Sequence, residues 1–157
     1  MELIDHLVLT CIDDAATKRF YTEVLQMRLE TLAEGRIAFR FGNQKINVHA
    51  RGAEFELKAH LPVSGALDLC FIAAIPLDDV IAHLERCDWP IIEGPVERTG
   101  ATQNIRSIYV RDPDFNLIEI SEPLGQRTDA VFQSGSGART RVRKHLHSID
   151  PTAVNGA

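Results

Sequence analysis

Short extended runs and amphipathic segments alternate along the chain. Residues 3–11 are rich in β-branched and aliphatic side chains, which predicts a strand. Asp13 and Asp14 then precede a segment, reaching to about Met27, whose apolar residues recur at helical spacing. This pattern predicts a helix capped by an aspartate. Three short strands are predicted next, near residues 28–33, 36–41 and 45–50.

The same order of elements returns in the second half of the chain. Residues 66–74 predict a strand, and Pro76 stands where a helix can begin. The helix is indicated by Leu77, Val80, Ile81 and Leu84, which follow the i, i+3, i+4, i+7 rule. Strands are predicted around residues 91–92, 106–111 and 116–121. We therefore expect an α+β domain of two βαβββ modules, residues 3–50 and 66–122, related by an internal duplication of low identity.

Composition places the chain among ordinary globular proteins, with 45% hydrophobic and 25% charged residues. We expect one domain over residues 1–122. Residues 123–157 are polar and partly basic, which is typical of a solvated tail, although packing on the domain or on a partner subunit stays open.

The net charge and the cysteine content indicate which binding partners and which cellular compartment to expect. The formal net charge of -5 does not favour a nucleic-acid surface. No apolar stretch approaches the length of a membrane span, and we recognise no signal peptide. Three cysteines without a CxxC pair suit a reducing compartment. We expect a cytoplasmic protein with no membrane or nucleic-acid partner.

Four potential metal ligands occupy corresponding places in the two modules. His6 lies in the first strand of its module, and Asp68 lies in the matching strand of the other. His49 and Glu119 stand at the ends of the two last strands. Two imidazoles with carboxylates suit a divalent ion such as Zn, Ni, Mn, Co or Fe. The alternative interpretation is that each residue has a structural role. A single histidine on a strand needs no metal, and a carboxylate can be exposed to solvent or hydrogen-bonded.

Other polar residues carry weaker signals. Cys70 lies in an apolar run, which favours a buried, inert thiol. Three arginines are candidate substrate or anion contacts, with surface ion pairs an equally open interpretation: Arg98, Arg106 and Arg111. His60 and His83 are expected to be exposed.

Several ordered segments resemble a known family. They are Ile4-Asp5-His6-Leu7-Val8-Leu9-Thr10, Phe41-Gly42-Asn43-Gln44-Lys45-Ile46-Asn47, Glu93-Gly94-Pro95-Val96-Glu97-Arg98-Thr99-Gly100-Ala101, Arg111-Asp112-Pro113-Asp114 and Asn116-Leu117-Ile118-Glu119. On these segments the chain is similar to the vicinal oxygen chelate superfamily, which includes glyoxalase I, extradiol dioxygenases and bleomycin-resistance proteins. It is closest to the glyoxalase-domain-containing protein 5, or virulence-protein, type.

The resemblance implies paired βαβββ modules that form a curved mixed sheet around a metal cleft. It also implies a homodimer, with the site shared between chains in some members. His6 and Glu119 match the family's first-strand and last-strand ligand positions, and the two remaining positions fall on His49 and Asp68. Phe115 stands at a turn where the family usually has glycine, so we expect a strained turn there.

The function implied is that of a glyoxalase-I-like lyase or isomerase. A divalent metal would hold a small substrate through two vicinal oxygens, and Glu119 would act as ligand and general base. An Fe(II) extradiol dioxygenase is one alternative, although Asp68 stands where those enzymes use histidine. A non-catalytic, ligand-sequestering protein of the bleomycin-resistance kind is the other.

Overall fold

The computed structural model describes residues 1–125, which form two four-stranded mixed sheets. The first module contains β1 (His6–Cys11), α1 (Asp14–Arg19), β2 (Arg28–Thr31), β3 (Ile37–Phe41) and β4 (Gln44–Ala50). Its strand order is β1-β4-β3-β2, with β1 parallel to β4 and the other pairs antiparallel.

The second module repeats this arrangement. It contains β5 (Asp68–Ile72), α2 (Leu77–Arg86), β6 (Glu93–Thr99), β7 (Asn104–Arg111) and β8 (Leu117–Pro123). Its strand order is β5-β8-β7-β6, and β5 is parallel to β8. The prediction of two βαβββ modules in an α+β fold is therefore confirmed.

Two elements differ from the sequence predictions. Asp13 caps α1 as predicted, since its side chain accepts from the Ala16 amide at 3.0 Å, but α1 ends at Arg19 and passes into a π-helical turn, Phe20–Val24. Strand β6 begins at Glu93, just beyond the predicted residues 91–92. It is an edge strand of mostly exposed, polar residues, so apolar periodicity could not reveal it.

Each sheet has one core face and one open face, because side chains alternate along a strand. The core faces carry buried apolar residues, among them Leu9, Phe39, Ile46 and Val48 in the first module and Ile108, Val110, Ile118 and Ile120 in the second. These residues belong to one hydrophobic cluster, which also includes residues of the helical segments. The remaining residues of each strand lie on the open faces.

The two modules join through their helix-covered sides. The Tyr21 hydroxyl donates to Asp112 at 3.0 Å, and the Ile12 amide donates to Asp114 at 3.0 Å. The rings of Phe20 and Trp89 lie 4.8 Å apart. None of these contacts involves a strand residue of either open face.

The turn between β7 and β8 is the strained one that the sequence predicted. Phe115 has φ +67° and is 74% exposed. Asp112 Oδ1 supports the turn by accepting from the amides of Asp114, at 3.0 Å, and Asn116, at 2.8 Å. The bonds compensate the left-handed conformation that a non-glycine residue adopts at a cost.

Within residues 1–125, no helix is both long and apolar enough to cross a lipid bilayer. Strand β8 runs to Pro123, and all but the first three residues of the predicted polar tail lie outside the described residues.

Candidate active site

His6 lies on the open face of β1, an edge strand of the first sheet. Its Nδ1 is 2.7 Å from the Asp5 carboxylate, and the hydrogen bond holds the pKa of Asp5 below its usual range. A carboxylate bound to Nδ1 leaves Nε2 as the nitrogen available to a metal, an arrangement common around metal-bound histidines. Asp5 was not predicted, although its position beside a candidate ligand was a usable signal.

His49 lies on the same open face but at the other end of it. In the parallel pairing of β1 with β4, His6 is opposite Lys45, whereas His49 is opposite Thr10. His49 lies four residues beyond Lys45 on β4, which separates the two histidines by about 13 Å along the strands. Side chains stand roughly perpendicular to a sheet, so two imidazoles whose backbones lie this far apart do not meet at one ion. The structure does not bring these two predicted ligands together.

Asn47 occupies the place that was assigned to His49. In the second module, Glu119 is opposite Cys70, two residues beyond Asp68. The same offset in the first module leads from His6 to Asn47, which is opposite Val8. Asn47, not His49, therefore corresponds to Glu119. Sequence reasoning missed it because it aligned strand ends rather than strand partners.

The amide oxygen of Asn47 lacks a hydrogen-bond partner within the described residues, as does Nδ1 of His49. Both atoms are buried. Buried polar atoms without a partner are uncommon and need an explanation. An amide oxygen is an accepted ligand of divalent cations, so His6 and Asn47 together form what we name the first half-site.

Asp68 and Glu119 form the second half-site. They lie on the open face of the second sheet, on the neighbouring strands β5 and β8. Their backbones are offset by about 7 Å along the strands and about 5 Å across them, which lets both carboxylates reach one point. Within residues 1–125 neither forms a salt bridge. Asp68 is exposed and Glu119 half-buried, so neither is the buried charge that its apolar neighbours suggested.

One chain does not complete the predicted metal centre. Among residues 1–125, no group of three or more His, Cys, Asp or Glu side chains is placed to hold one ion. The predicted set of His6, His49, Asp68 and Glu119 is thus divided between two open faces. The chain has two pairs of donor side chains, and the two members of each pair are offset by the same number of residues along parallel strands.

A cavity of about 500 Å³ lies beside Glu119 on the second open face. It is lined by Cys70, Ile72, Arg98, Thr99, Gly100, Ala101, Thr102, Gln103, Ile105, Tyr109, Glu119 and Pro123. The turn between β6 and β7 forms one wall, closed by a 2.9 Å bond from the Gly100 amide to the Gln103 carbonyl. This volume is within the range of small-molecule sites.

Polar groups around the cavity form hydrogen bonds with one another. Arg98 Nε donates to the Tyr109 hydroxyl at 3.0 Å, and Tyr109 is the cross-strand neighbour of Glu119. Partial desolvation and the Glu119 carboxylate raise the pKa of Tyr109. The Ser121 hydroxyl donates to Glu119 at 3.4 Å, so Glu119 has one polar neighbour on its own strand and another on β7.

Cys70 differs from its prediction. It is exposed on the open face, while its neighbours Leu69 and Phe71 point to the core side. The apolar residues of this segment therefore identify the core face and do not determine whether Cys70 is buried. Desolvation, with the charge of Glu119 adding to it, raises the pKa of the Cys70 thiol. This keeps the sulfur protonated and unreactive at neutral pH.

The remaining predicted residues have structural surroundings. Arg106 is paired with Asp78, at 2.6 Å, and with Glu122, at 3.0 Å, and Arg111 donates to the Phe115 carbonyl at 2.9 Å. Of the three arginines, Arg98 alone lines the cavity. His60 is exposed as predicted. His83 is instead half-buried, with its Nε2 3.0 Å from the Glu23 carbonyl.

The family model of the glyoxalase/bleomycin resistance protein/dioxygenase superfamily matches residues 3–120. The chain belongs to this superfamily. The virulence protein STM3117 of Salmonella typhimurium is 53% identical over 122 residues, which cover 78% of this chain and 85% of that protein. The glyoxalase domain-containing protein RDO1 of Mycosarcoma maydis is 51% identical over 118 residues, or 75% of this chain and 66% of that protein.

Solved structures of superfamily proteins share the fold. The crystal structure of the Salmonella virulence protein has a TM-score of 0.77 at 52% identity, over 79% of this chain and 98% of that chain. Two distant structures have a TM-score of 0.60. They are lactoylglutathione lyase of Agrobacterium tumefaciens, 20% identical over 78% of this chain and 94% of that one, and TnmS3, an antibiotic binding protein of Streptomyces, 18% identical over 79% and 98%. At these identities the likeness concerns the fold alone.

Proposed function

We propose that this superfamily domain is a divalent-metal-dependent enzyme of the glyoxalase type, a lyase or isomerase acting on a small substrate with vicinal oxygens. The observation that carries the proposal is the equal offset of two donor pairs. His6 and Asn47 in one sheet, and Asp68 and Glu119 in the other, occupy matching places on parallel strand pairs. One imidazole, one amide oxygen and two carboxylates fit Ni, Zn, Mn, Co or Fe.

We infer further that two copies of the chain complete the site. Each half-site includes an edge strand, β1 or β5, whose outer edge is unpaired within residues 1–125. Exposed apolar side chains accompany the ligands on both strands: Val8 is 43% exposed and Ile72 56%. Exposed edges and apolar patches are features that association covers. The first half-site of one protomer would face the second half-site of its partner in a symmetric homodimer.

The proposed chemistry assigns a role to each residue of the chain. A bound divalent cation would supply positive charge beside the vicinal oxygens of the substrate, which makes the adjacent carbon acid easier to deprotonate. The Glu119 carboxylate, at the cavity wall, would accept that proton and return it to the neighbouring carbon. Tyr109 and Ser121 would hold Glu119, and Asp5 would keep Nε2 of His6 free for the metal.

The proposal is tested by metal binding in single and mixed variants. His6→Ala and Glu119→Ala should each lose Mn²⁺ or Ni²⁺ retention, measured by elemental analysis of the purified protein. When the two variants are unfolded and refolded together, a heterodimer has one intact site and one doubly defective site. Random pairing should therefore restore about a quarter of the wild-type sites.

Three results would contradict parts of the proposal. A wild-type protein that binds none of the five metals rejects the metal-dependent enzyme. Mixed dimers that recover no metal reject the shared site. Turnover of the methylglyoxal–glutathione adduct that is unchanged in Glu119→Gln rejects the role of Glu119 as base for that substrate.

A sequestering protein is the second candidate, because the cavity of about 500 Å³ is large enough for a ligand and the fold is shared with an antibiotic-binding protein. Tight ligand binding by metal-free protein, without turnover, would favour it. Oxygen uptake with a catechol after anaerobic Fe(II) loading would instead favour a ring-cleaving dioxygenase.

A further inference from the structure

We propose that His83, Cys87 and the carbonyl oxygen of Glu23 form a binding site for a divalent ion of the zinc class, separate from the two half-sites. His83 lies in α2, and Cys87, four residues later, is the residue that caps its C-terminal end. Residues four apart on a helix lie on the same face. Glu23 belongs to the π-helical turn of the first module, so the site joins the two modules.

The three donor atoms are spaced as the ligands of one ion are. Nε2 of His83 is 3.5 Å from Cys87 Sγ and 3.0 Å from the Glu23 carbonyl oxygen, and Sγ is 4.0 Å from that oxygen. A tetrahedral zinc ion, with bonds of about 2.1 Å to nitrogen and oxygen and about 2.3 Å to sulfur, holds its ligand atoms about 3.4 to 3.6 Å apart. The observed separations differ from these values by about 0.4 Å, which a small movement of the side chains removes. Water would supply the fourth ligand.

The kinds of donor determine which ions bind here. A thiolate and an imidazole are preferred ligands of zinc and cadmium, whereas manganese prefers oxygen donors. The half-sites contain no thiol among their four donors, which are His6, Asn47, Asp68 and Glu119. A thiolate-preferring ion therefore distinguishes the site at Cys87 from the proposed catalytic centre, and the two can be measured independently.

Gln26 lies where an outer partner of the histidine is needed. Its side-chain nitrogen is 3.5 Å from Nδ1 of His83. Without an ion, Nε2 donates to the Glu23 carbonyl and Nδ1 accepts from the Gln26 amide. When an ion binds Nε2, the ring proton is on Nδ1, and the Gln26 amide, turned to present its oxygen, accepts it. The Cys87 thiol releases its proton to solvent as the sulfur binds the ion.

The first test is a Cd²⁺ titration followed by the ultraviolet thiolate-to-cadmium charge-transfer band. Cys70 is a second exposed thiol, close to Glu119, so all titrations use Cys70→Ser protein. This protein should show a saturable band with release of about one proton for each ion bound. Zn²⁺ should abolish the band by displacing Cd²⁺, and an equal concentration of Mn²⁺ should not. A missing band, or one that persists after the further change Cys87→Ser, would overturn the proposal.

A matched pair of histidine variants tests the second ligand. His83→Asn should weaken Cd²⁺ binding about tenfold or more, because the ion loses its nitrogen donor. His60→Asn is the control, since His60 is exposed in the connection between the modules. It should leave the dissociation constant within about twofold of the parent protein. Equal constants in the two variants would leave Cys87 as a single ligand and remove the site.

The second test uses the position of the site between the modules. An ion that binds only the folded protein stabilises it, so a hundredfold excess of Cd²⁺ over its dissociation constant should raise the Tm of Cys70→Ser protein by about 5 °C or more. The rise should be smaller by at least about half in the Cys70→Ser/Cys87→Ser protein, in which the other carboxylate and imidazole donors are unchanged. An equal rise in both proteins would contradict a site at Cys87.

Failure of this proposal and failure of the proposed function give different results. Protein that binds Cd²⁺ through Cys87 and retains no Mn²⁺ refutes the metal-dependent enzyme alone. Protein that retains Mn²⁺ through His6 and Glu119 and shows no Cys87-dependent cadmium band refutes the site at Cys87 alone.

Discussion

The two open faces share one backbone plan and carry opposite charge. In the first module, four residues lie opposite one another across neighbouring strands: His6, Lys45, Arg40 and Arg28. In the second module, the row that contains Glu119 ends at Glu93, and Asp68 lies on the same face. Neither face alone offers the donors that a divalent ion requires. In the proposed homodimer, the more basic face of one copy would lie against the more acidic face of the other.

The strongest way to break this complementarity is to remove the charge of Glu119. We expect Glu119→Gln to weaken metal binding and turnover by at least about 100-fold, because a ligand and base is replaced by a neutral amide. Glu97→Gln is the matched control: it is also a strand glutamate of the second sheet, but it lies on the opposite side of β6 from the cavity residue Arg98. Equal metal content in the two variants would show that Glu119 is not a metal ligand.

The order of the elements could be predicted from the sequence because apolar periodicity records which face of an element is buried. Asp13 as helix cap was predicted from the residues that follow it, whereas the strained turn at Phe115 was predicted from the resemblance to a family that usually has glycine there. The position of strand β6 was not predicted correctly because its mostly exposed residues give no such pattern. The failure at Cys70 is related, since its apolar neighbours mark the core face and say nothing of the residue between them.

The candidate site could be located only in part. His6, Asp68 and Glu119 lie on open faces as metal ligands require, and whether they bind a metal stays a prediction. The choice of His49 over Asn47 depended on strand register, a pairing between residues about 40 positions apart that periodicity does not encode. The separation of the half-sites within one chain depends on tertiary packing, which the sequence pattern leaves undetermined.

The two histidines of the first face provide the next test. His6→Ala should weaken Mn²⁺ binding by about 10- to 100-fold or more, whereas His49→Ala should stay within a few-fold of wild type because the register places His49 about 13 Å from His6 along the strands. The measurement is metal titration of both variants, with circular dichroism to confirm the fold. A larger loss in His49→Ala would restore the original ligand set and remove Asn47 from it.

A smaller effect is expected from the residue behind His6. Asp5→Asn weakens the hydrogen-bond acceptor at Nδ1, and such outer partners typically contribute about tenfold to metal affinity. Glu2→Gln is an exposed acid-to-amide control at the same terminus. If both changes leave the Mn²⁺ dissociation constant unaltered, the contact of Asp5 with His6 has no part in metal binding.

The smallest effect concerns the contact that joins the modules rather than either face. Asp114 is 7% exposed, and burial together with the charge of Asp112 raises its pKa. An acid whose pKa is raised on folding contributes stability while protonated and loses that contribution as pH rises through the folded pKa.

Asp114→Asn keeps an oxygen for the Ile12 amide and removes the buried charge. The variant should therefore be more stable than wild type at pH 7, by up to about 1 kcal/mol, with the difference shrinking toward pH 4. Urea unfolding at both pH values measures this, and metal binding should not change. Destabilisation at pH 7 would show that the carboxylate charge itself holds the two modules together.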